Sequence, residues 1–469
     1  MNVLKKAFSC EYMLKEEDRL GDIPSNKEGY GRAINMAWPS IIESVLLAFV
    51  TLIDTMMVSG IGSEAVAAVG ITSQPRMIVL ALIFSLNIGV TAVVARRRGQ
   101  QDREGANRCL KQCMSICAMI SIALAVICSI FSEPLLKFAG AGEDYIDDAV
   151  IYFRILMLGI FFNAMSLTIN AAQRGAGNTK ISMRSNLTAN IVNLILNYFL
   201  INGYWIFPKW GVAGAAVATS TGYVVAFCMS LYSVCHRKEG HFLSVFSHVS
   251  WRWDQKTLSS VFKVSSSAVV EQFFMRVGFF LYAKIVAGLG TTAFATHQVC
   301  MNIMSISFAF GDGFNVASSS LVGQSLGARR PDLAKLYASI NQRMAVICST
   351  VLALCLIIFR FDILWLFSDD PEVVQNGAVL LIMIACVTHA QTSQVIISGS
   401  LRGAGDTKFV AFCSLISIAI VRPSLSWLMA YPIGWGLVGA WVAVLVDQYM
   451  RLGLFFMRFR SGEWTKIEL

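Results

Sequence analysis

The chain of 469 residues is 56% apolar and only 14% charged, with a mean hydropathy of +0.61, whereas soluble domains carry roughly a quarter of their residues as charges. That composition excludes a soluble enzyme or binding domain and points to an integral membrane protein. The formal charge of +9 follows from where cations sit relative to the apolar runs, which sets aside a nucleic-acid surface.

Residues 1–30, with Lys5, Lys6, Glu11, Glu16, Glu17, Asp18 and Arg19, mix both signs and lack an apolar leader core, which predicts a cytoplasmic N-terminal tail. Beyond it, apolar runs of the roughly 20 residues that a helix needs to cross a bilayer recur to the end. They fall at 31–59, 66–95, 107–138, 145–172, 179–204, 211–235, 257–287, 293–323, 333–367, 373–400, 407–430 and 434–457. None alternates with the period of a barrel strand, and only helices or closed barrels satisfy backbone polar groups in lipid. The predicted fold class is therefore all-α integral membrane, with twelve transmembrane helices.

Cations collect in every second break: Arg96, Arg97, Arg98 and Arg103, then Arg174 and Lys180, Arg237 and Lys238, Arg329 and Arg330, Arg402 and Lys408. The intervening breaks are acidic or neutral, with Glu133, Glu143, Asp144, Asp147 and Asp148 after span three and Asp369, Asp370 and Glu372 after span nine. By the positive-inside rule both termini face the cytoplasm of a cell (inner or plasma) membrane. Twelve cysteines lie mainly in apolar spans without metal-ligand spacing, and no disulfides are expected.

The heptapeptide RGAGNTK at 174–180 returns as RGAGDTK at 402–408, an offset of 228. A nucleotide-binding phosphate loop needs four residues between its first glycine and a Gly-Lys-Ser/Thr; neither copy has that spacing, so a structural helix-to-helix turn is expected and no nucleotide partner. The same offset places Gly60, Gly62, Ala65 and Ala67 on Gly288, Gly290, Ala293 and Ala295, and Gly99 and Ala106 on Gly327 and Ala334. With a slip to 225, GVAGAAVA from Gly211 falls on GLVGAWVA from Gly436. The expected organisation is a first six-helix lobe at 31–236, a cytoplasmic linker at 237–256, a second lobe at 257–458 and a short cytoplasmic tail at 459–469. Six is even, so the lobes are parallel repeats about a pseudo-two-fold axis along the membrane normal, an architecture common in secondary transporters.

Intramembrane polar residues are the candidates for function. Asp54 and Glu43 lie eleven residues apart on one face of span one. Asn190, Asn193 and Asn197 follow helical spacing in span five, and Thr219 and Thr221 lie in span six. One carboxylate with amide and hydroxyl oxygens suits a single monovalent cation, Na+ held by Asp54, Asn193, Asn197 and Thr219, or a proton on the carboxyl; the neutral oxygen donors lean towards sodium. The repeat is an internal control: the shifted positions are Tyr282, Val421, Leu425 and Val444, so this cluster belongs to one lobe. Further candidates are Arg276, Lys284, Asp312, His389 and Arg422, the last before Pro423, where a kink would free carbonyls for the guanidinium.

The order and spacing of LIDTMMVSGIG, GVAGAAVAT, LVGQSLGA and LRGAGDTK within two homologous halves resemble the multidrug and toxic compound extrusion (MATE) family, from about Ala33 to the RFRSGEWTKI tail. The likeness is to its NorM- and DinF-like bacterial type. It implies that Asp54 is the acid of the first helix used for cation coupling, with Asn193, Asn197 and Thr219 as its neighbours. Substrate-cavity candidates are Glu43, Glu271, Arg276 and Gln391. Gln391 stands where NorM types place an acid, and Glu271 lies about one turn before the NorM helix-seven glutamate. Glu271 falls on Glu43 under the 228 shift, which fits a paired structural role at the cytoplasmic mouth as well as a drug-binding one.

The expected function is a secondary antiporter, not an enzyme, that as a monomer exports amphiphilic, often cationic, small organic compounds in exchange for Na+ or H+, without other cofactors. A lipid-linked precursor flippase of related architecture would call for an arginine-rich cavity, and a non-transporting receptor for a signalling domain. An intramembrane enzyme would call for a metal cluster, a Ser/Lys pair or paired aspartates, and the five scattered histidines supply none of these.

Overall fold

A computed structural model describes residues 8–203, 208–236, 242–248, 251, 253–367 and 369–468. Lys5, Lys6, Arg237 and Lys238, used above to read the tail and the topology, lie outside the described residues. Among the described residues twelve long helices follow one another: α1 (Asn26–Ser59), α2 (Ser63–Gly99), α3 (Arg103–Ile130), α4 (Ile146–Gly175), α5 (Thr179–Asn202), α6 (Gly211–Cys235), α7 (Gln255–Ala287), α8 (Thr291–Gly327), α9 (Pro331–Ile358), α10 (Pro371–Ala404), α11 (Thr407–Ala430) and α12 (Gly436–Ser461). Among the described residues, nine of these are long and apolar enough to cross a membrane. The other three are α5, α7 and α8, whose hydropathy is lowered by groups such as Asn193 and Asn197, Glu271 and Arg276, and Asp312 and Asn315.

The spans read as continuous at 107–138 and 333–367 are each broken once. The first ends at Ile130 and resumes as a short helix over Ser132–Phe138; the second ends at Ile358 and resumes over Arg360–Trp365. Pro134 cannot donate to the carbonyl one turn earlier, which ends the first ladder. In the second break Arg360 Nη1 donates to the Ile357 carbonyl at 2.9 Å, satisfying a helix-end acceptor. Span eleven is irregular in another way: Leu415–Val421 is π-helical, and an α-helix resumes at Arg422 with Pro423 in its first turn.

By packing the chain forms two compact units, one of Val45–Ser265, the other of Met1–Ser44 with Ser266–Leu469. The division falls inside α1 and inside α7. Within the first unit α4 packs against α2, α3 and α6, burying Val90, Leu110, Cys113, Phe153, Leu156 and Ile160. Within the second, α10 holds the same place among α8, α9 and α12, around Cys300, Leu380, Leu381, Ile384 and Trp441. The fourth helix of each repeat is thus the centre of its unit.

The two heptapeptides are turns at the ends of these central helices. Gly177 and Gly405 both have φ +92°, a left-handed conformation that glycine adopts without steric cost. Gly175 and Gly403 serve close approach instead: a Cβ on Gly175 would meet the Thr91 carbonyl oxygen at 2.7 Å, and one on Gly403 would strike the Ser319 carbonyl. The single difference between the copies has a physical counterpart, because Asp406 accepts from Arg458 Nε at 2.7 Å.

The tail before α1 is folded onto the break between α8 and α9. Cys10 and Leu14 are buried among Leu336, Tyr337 and Ile340. Leu20 N–H donates to Asp332 Oδ2 at 3.1 Å, and Arg330 Nη2 donates to the Asp22 carbonyl at 3.0 Å.

A valine at Gly175 or Gly403 would have to displace backbone, and overpacking of this kind costs about 1–3 kcal/mol or more. Both variants should give less folded protein on detergent size-exclusion chromatography. Gly453→Val, whose Cβ would meet nothing within 4 Å, should yield close to the parent amount.

Candidate cation site

The site begins with the spacing on α5. Ser182, Ser185, Ala189, Asn193 and Asn197 form a stripe at intervals of three or four residues, and all five are buried. Small residues on α6 let that stripe come close: a Cβ on Gly214 would meet the Leu200 carbonyl at 2.6 Å, and one on Gly222 the Ala189 carbonyl at 3.1 Å and Asn193 Cβ at 3.3 Å. Between those two glycines lies Thr219, which is thereby set beside Asn193.

Asp54, half-buried on the latter part of α1, meets this stripe. Asn197 Nδ2 donates to Asp54 Oδ1 at 2.8 Å. Asn193 satisfies both ends of its amide when its nitrogen donates to the two carboxylate oxygens, each at 3.2 Å, and its oxygen accepts from Thr219 N–H at 3.1 Å and Oγ1 at 3.2 Å. Asn197 Oδ1 is buried without a hydrogen-bond partner. The structure therefore brings together Asp54, Asn193, Asn197 and Thr219, all within the first unit. Thr221 donates to the Val217 carbonyl of its own helix at 2.8 Å, and Asn190 is not among the partners of Asp54.

Chemically this is a carboxylate that accepts from two amides, with one unpartnered amide oxygen alongside. Charge-assisted bonds of this kind hold the anion in place, and both a proton and a small cation would find an acceptor. A cation cage needs oxygens pointing inward, which would require the Asn197 amide to turn and Asn193 to keep its nitrogen on Thr219 Oγ1. Two nearby groups escaped the sequence reading. Tyr152 on α4 is buried within electrostatic reach of Asp54 and of Arg76, a cation in α2 just after Pro75. A lone arginine in an apolar run was the available signal.

The second unit holds the other candidates. Glu271 is buried; its Oε1 accepts from Arg402 Nη2 at 2.5 Å and Ser414 Oγ at 3.2 Å, and its Oε2 has no hydrogen-bond partner. Gln391 is buried with both amide atoms unpartnered, Glu43 is half-buried on the first part of α1, and Arg276, Lys284 and Asp312 are exposed. His389 Nε2 shares a hydrogen bond with Thr350 Oγ1 at 3.0 Å. Arg422 requires a correction. Its guanidinium does not take carbonyls freed by Pro423 but pairs with Asp447 of α12, because the π-helical stretch before it turns the side chain inward onto that buried carboxylate. Asp447 and its neighbour Arg451, four residues apart in an apolar span, were also missed.

The family profile described as MatE matches residues 39–199 and again 267–428. The chain belongs to the MatE family. The two MatE matches begin 228 residues apart, the offset of the repeat. Among curated proteins the chain is 25% identical to the uncharacterized transporter YisQ of Bacillus subtilis, over 92% of this chain and 94% of that one. It is 24% identical to a probable multidrug resistance protein NorM of Thermotoga maritima, over 92% of each, and 24% identical to the multidrug resistance protein PmpM of Pseudomonas aeruginosa, over 86% and 83%. Among solved structures, a MOP superfamily transporter from Pyrococcus furiosus superposes with a TM-score of 0.87 at 19% identity, over 94% of this chain and 97% of that one. An outward-facing multidrug resistance MATE transporter of the same superfamily superposes at 0.86, also at 19% identity, over 93% and 97%. The protein is thus an all-helical, multi-pass MATE transporter and not an enzyme, with the two-lobe, twelve-helix architecture read from its sequence.

The geometry ranks the residues of this site. Asn197→Leu removes the 2.8 Å donor to Asp54, and a bond to a charged group contributes about 1.5–3 kcal/mol, so transport in proteoliposomes should slow by about tenfold or more. Thr221→Ala removes only a bond within its own helix and should transport within about twofold of the parent.

Proposed function

We propose that this transporter is an antiporter that exports amphiphilic, often cationic, organic compounds in exchange for a monovalent cation captured at Asp54. The observation that carries the reading is the Asp54 carboxylate, met inside the membrane-spanning part of the first unit by Asn197 and Asn193. A carboxyl in such a place must change its charge state or its partner to be useful, and antiport needs one group that does so. The multidrug names of the relatives support the substrate class. The ion is Na+ or H+: Asn197 presents nitrogen to the carboxylate, which suits a proton, whereas Asn193 presents oxygen to it in one amide orientation and nitrogen in the other. The fold alone does not fix the charge of the substrate: the Pyrococcus furiosus protein of the same fold is described as having a binding pocket of reverse polarity that suggests a different function.

An ion can drive export only through unequal affinity for the conformations it links. Asp54→Asn keeps size and hydrogen bonding but cannot change charge, so it should fold and insert yet lose gradient-driven transport and drug resistance. Substrate binding should stay within about tenfold, or 1.4 kcal/mol, of the parent. Full gradient-driven transport by Asp54→Asn would move the coupling elsewhere, with Glu271 the next residue to change. In proteoliposomes with equal pH on both sides, transport driven by a sodium gradient would assign sodium; no response to sodium with full transport on a proton gradient would assign a proton.

The proposed orientation places the protein in the cell membrane with both termini in the cytoplasm. Single cysteines near Gly142 and Asp370, in a background without native cysteines, should then react from outside intact cells. Those near Asp102 and Arg329 should react only after permeabilisation. Labelling of the Asp102 position in intact cells would reverse the topology.

A further inference from the structure

The second unit contains a buried charge cluster that the coupling reading does not use. Asp447 is fully buried, and its Oδ2 accepts from Arg422 Nε at 3.0 Å, from Arg422 Nη2 and from Arg451 Nη2 at 3.2 Å. The Arg422 guanidinium, itself buried, also lies over the Phe279 ring at 5.1 Å and the Tyr282 ring at 5.9 Å. Asp447 Oδ1, Tyr282 Oη, Trp441 Nε1, Gln448 Nε2 and Arg451 Nε are buried without hydrogen-bond partners. A fully buried carboxylate shared by two buried guanidiniums is a built polar site, not an apolar core.

Its place in the repeat gives the cluster meaning. The 228 shift carries Asp54 onto Tyr282 and Asn193 onto Val421, the residue before Arg422; the 225 shift carries Thr219 onto Val444 and Gly222 onto Asp447. In the first unit Gly222 packs on Asn193. In the second, the matching positions of α11 and α12 bring Asp447 to the turn that carries Arg422. One unit thus holds a carboxylate answered by neutral amides, and the other a carboxylate answered by a guanidinium at the matching place.

We propose that this cluster is a cation site permanently occupied by the tethered guanidinium of Arg422. Guanidinium keeps its charge at any accessible pH and cannot leave, and the second guanidinium of Arg451 repels a further cation. The Asp447 site therefore carries no mobile ion, and with Asp54 as the coupling carboxylate each cycle moves one cation. This last consequence rests on the coupling reading above.

Arg422→Ala leaves a guanidinium-sized space beside Asp447, so free guanidinium is the probe. The purified variant should unfold at a lower temperature than the parent, and millimolar guanidinium chloride should restore it. Sodium chloride at the same ionic strength should not, nor should guanidinium restore Arg422→Ala/Asp447→Asn. An unchanged unfolding temperature, a fall that guanidinium leaves in place, or equal restoration of the double variant would overturn the proposal. If Arg422→Ala yields no folded protein, the reversal potential of the parent in proteoliposomes decides: one cation per substrate agrees, and two would overturn it. Guanidinium rescue together with full coupling in Asp54→Asn would sink the coupling reading and leave the tethered cation standing. Lost coupling in Asp54→Asn without rescue of Arg422→Ala would do the reverse.

Discussion

A carboxylate among membrane-spanning helices has to be answered, because an unpaired charge there costs several kcal/mol even by the lower scales. The two repeats answer it differently. At Asp54 the answer is two amides, which leave the charge exchangeable. At Asp447 it is two guanidiniums, which do not. Much of the rest follows from holding these groups in register: the small residues of α6 that admit α5, the serine and asparagine stripe on α5, and the π-helical stretch that delivers Arg422 to α12.

Duplication supplied two similar scaffolds, and the divergence between them lies in a few side chains. The two central helices, the turns after them and the close approach of Gly175 and Gly403 to neighbouring backbone repeat faithfully, because each depends on backbone geometry that only glycine permits. Two charges present in one copy alone are each paired: Asp406, where the first copy has Asn178, with Arg458, and Asp447, where it has Gly222, with Arg422. A lone new charge inside either unit would be strongly destabilising, whereas a matched pair is tolerated.

The helices and the repeat were legible in the sequence because bilayer thickness sets the length of an apolar run and because an offset of 228 is visible without tertiary information. The Asp54 cluster was legible for a similar reason: Asn193 and Asn197 are four residues apart, so whichever face holds one holds the other. The breaks at Phe131 and Phe359 and the π-helical stretch were not, since they interrupt runs whose hydropathy is continuous. Nor was the partner of Arg422, which lies 25 residues away on another helix. Amide orientation, which separates a proton acceptor from an oxygen cage, depends on neighbours that only packing identifies.

The division of α1 between two packing units bears on how the protein is made. Ala33, Met36 and Ala37, on its first half, are buried against Phe314, Ala317 and Leu321, so residues that leave the ribosome early wait for partners about 280 positions later. At a synthesis rate of about 5–20 residues per second that delay is roughly 15–60 s. During it the start of α1 has only the short tail around Cys10 as a partner from its own unit, while Asp54 on its second half can already meet α5. The first half of α1 thus cannot complete its packing until α8 has been made, and a chain released before then would leave that apolar face uncovered.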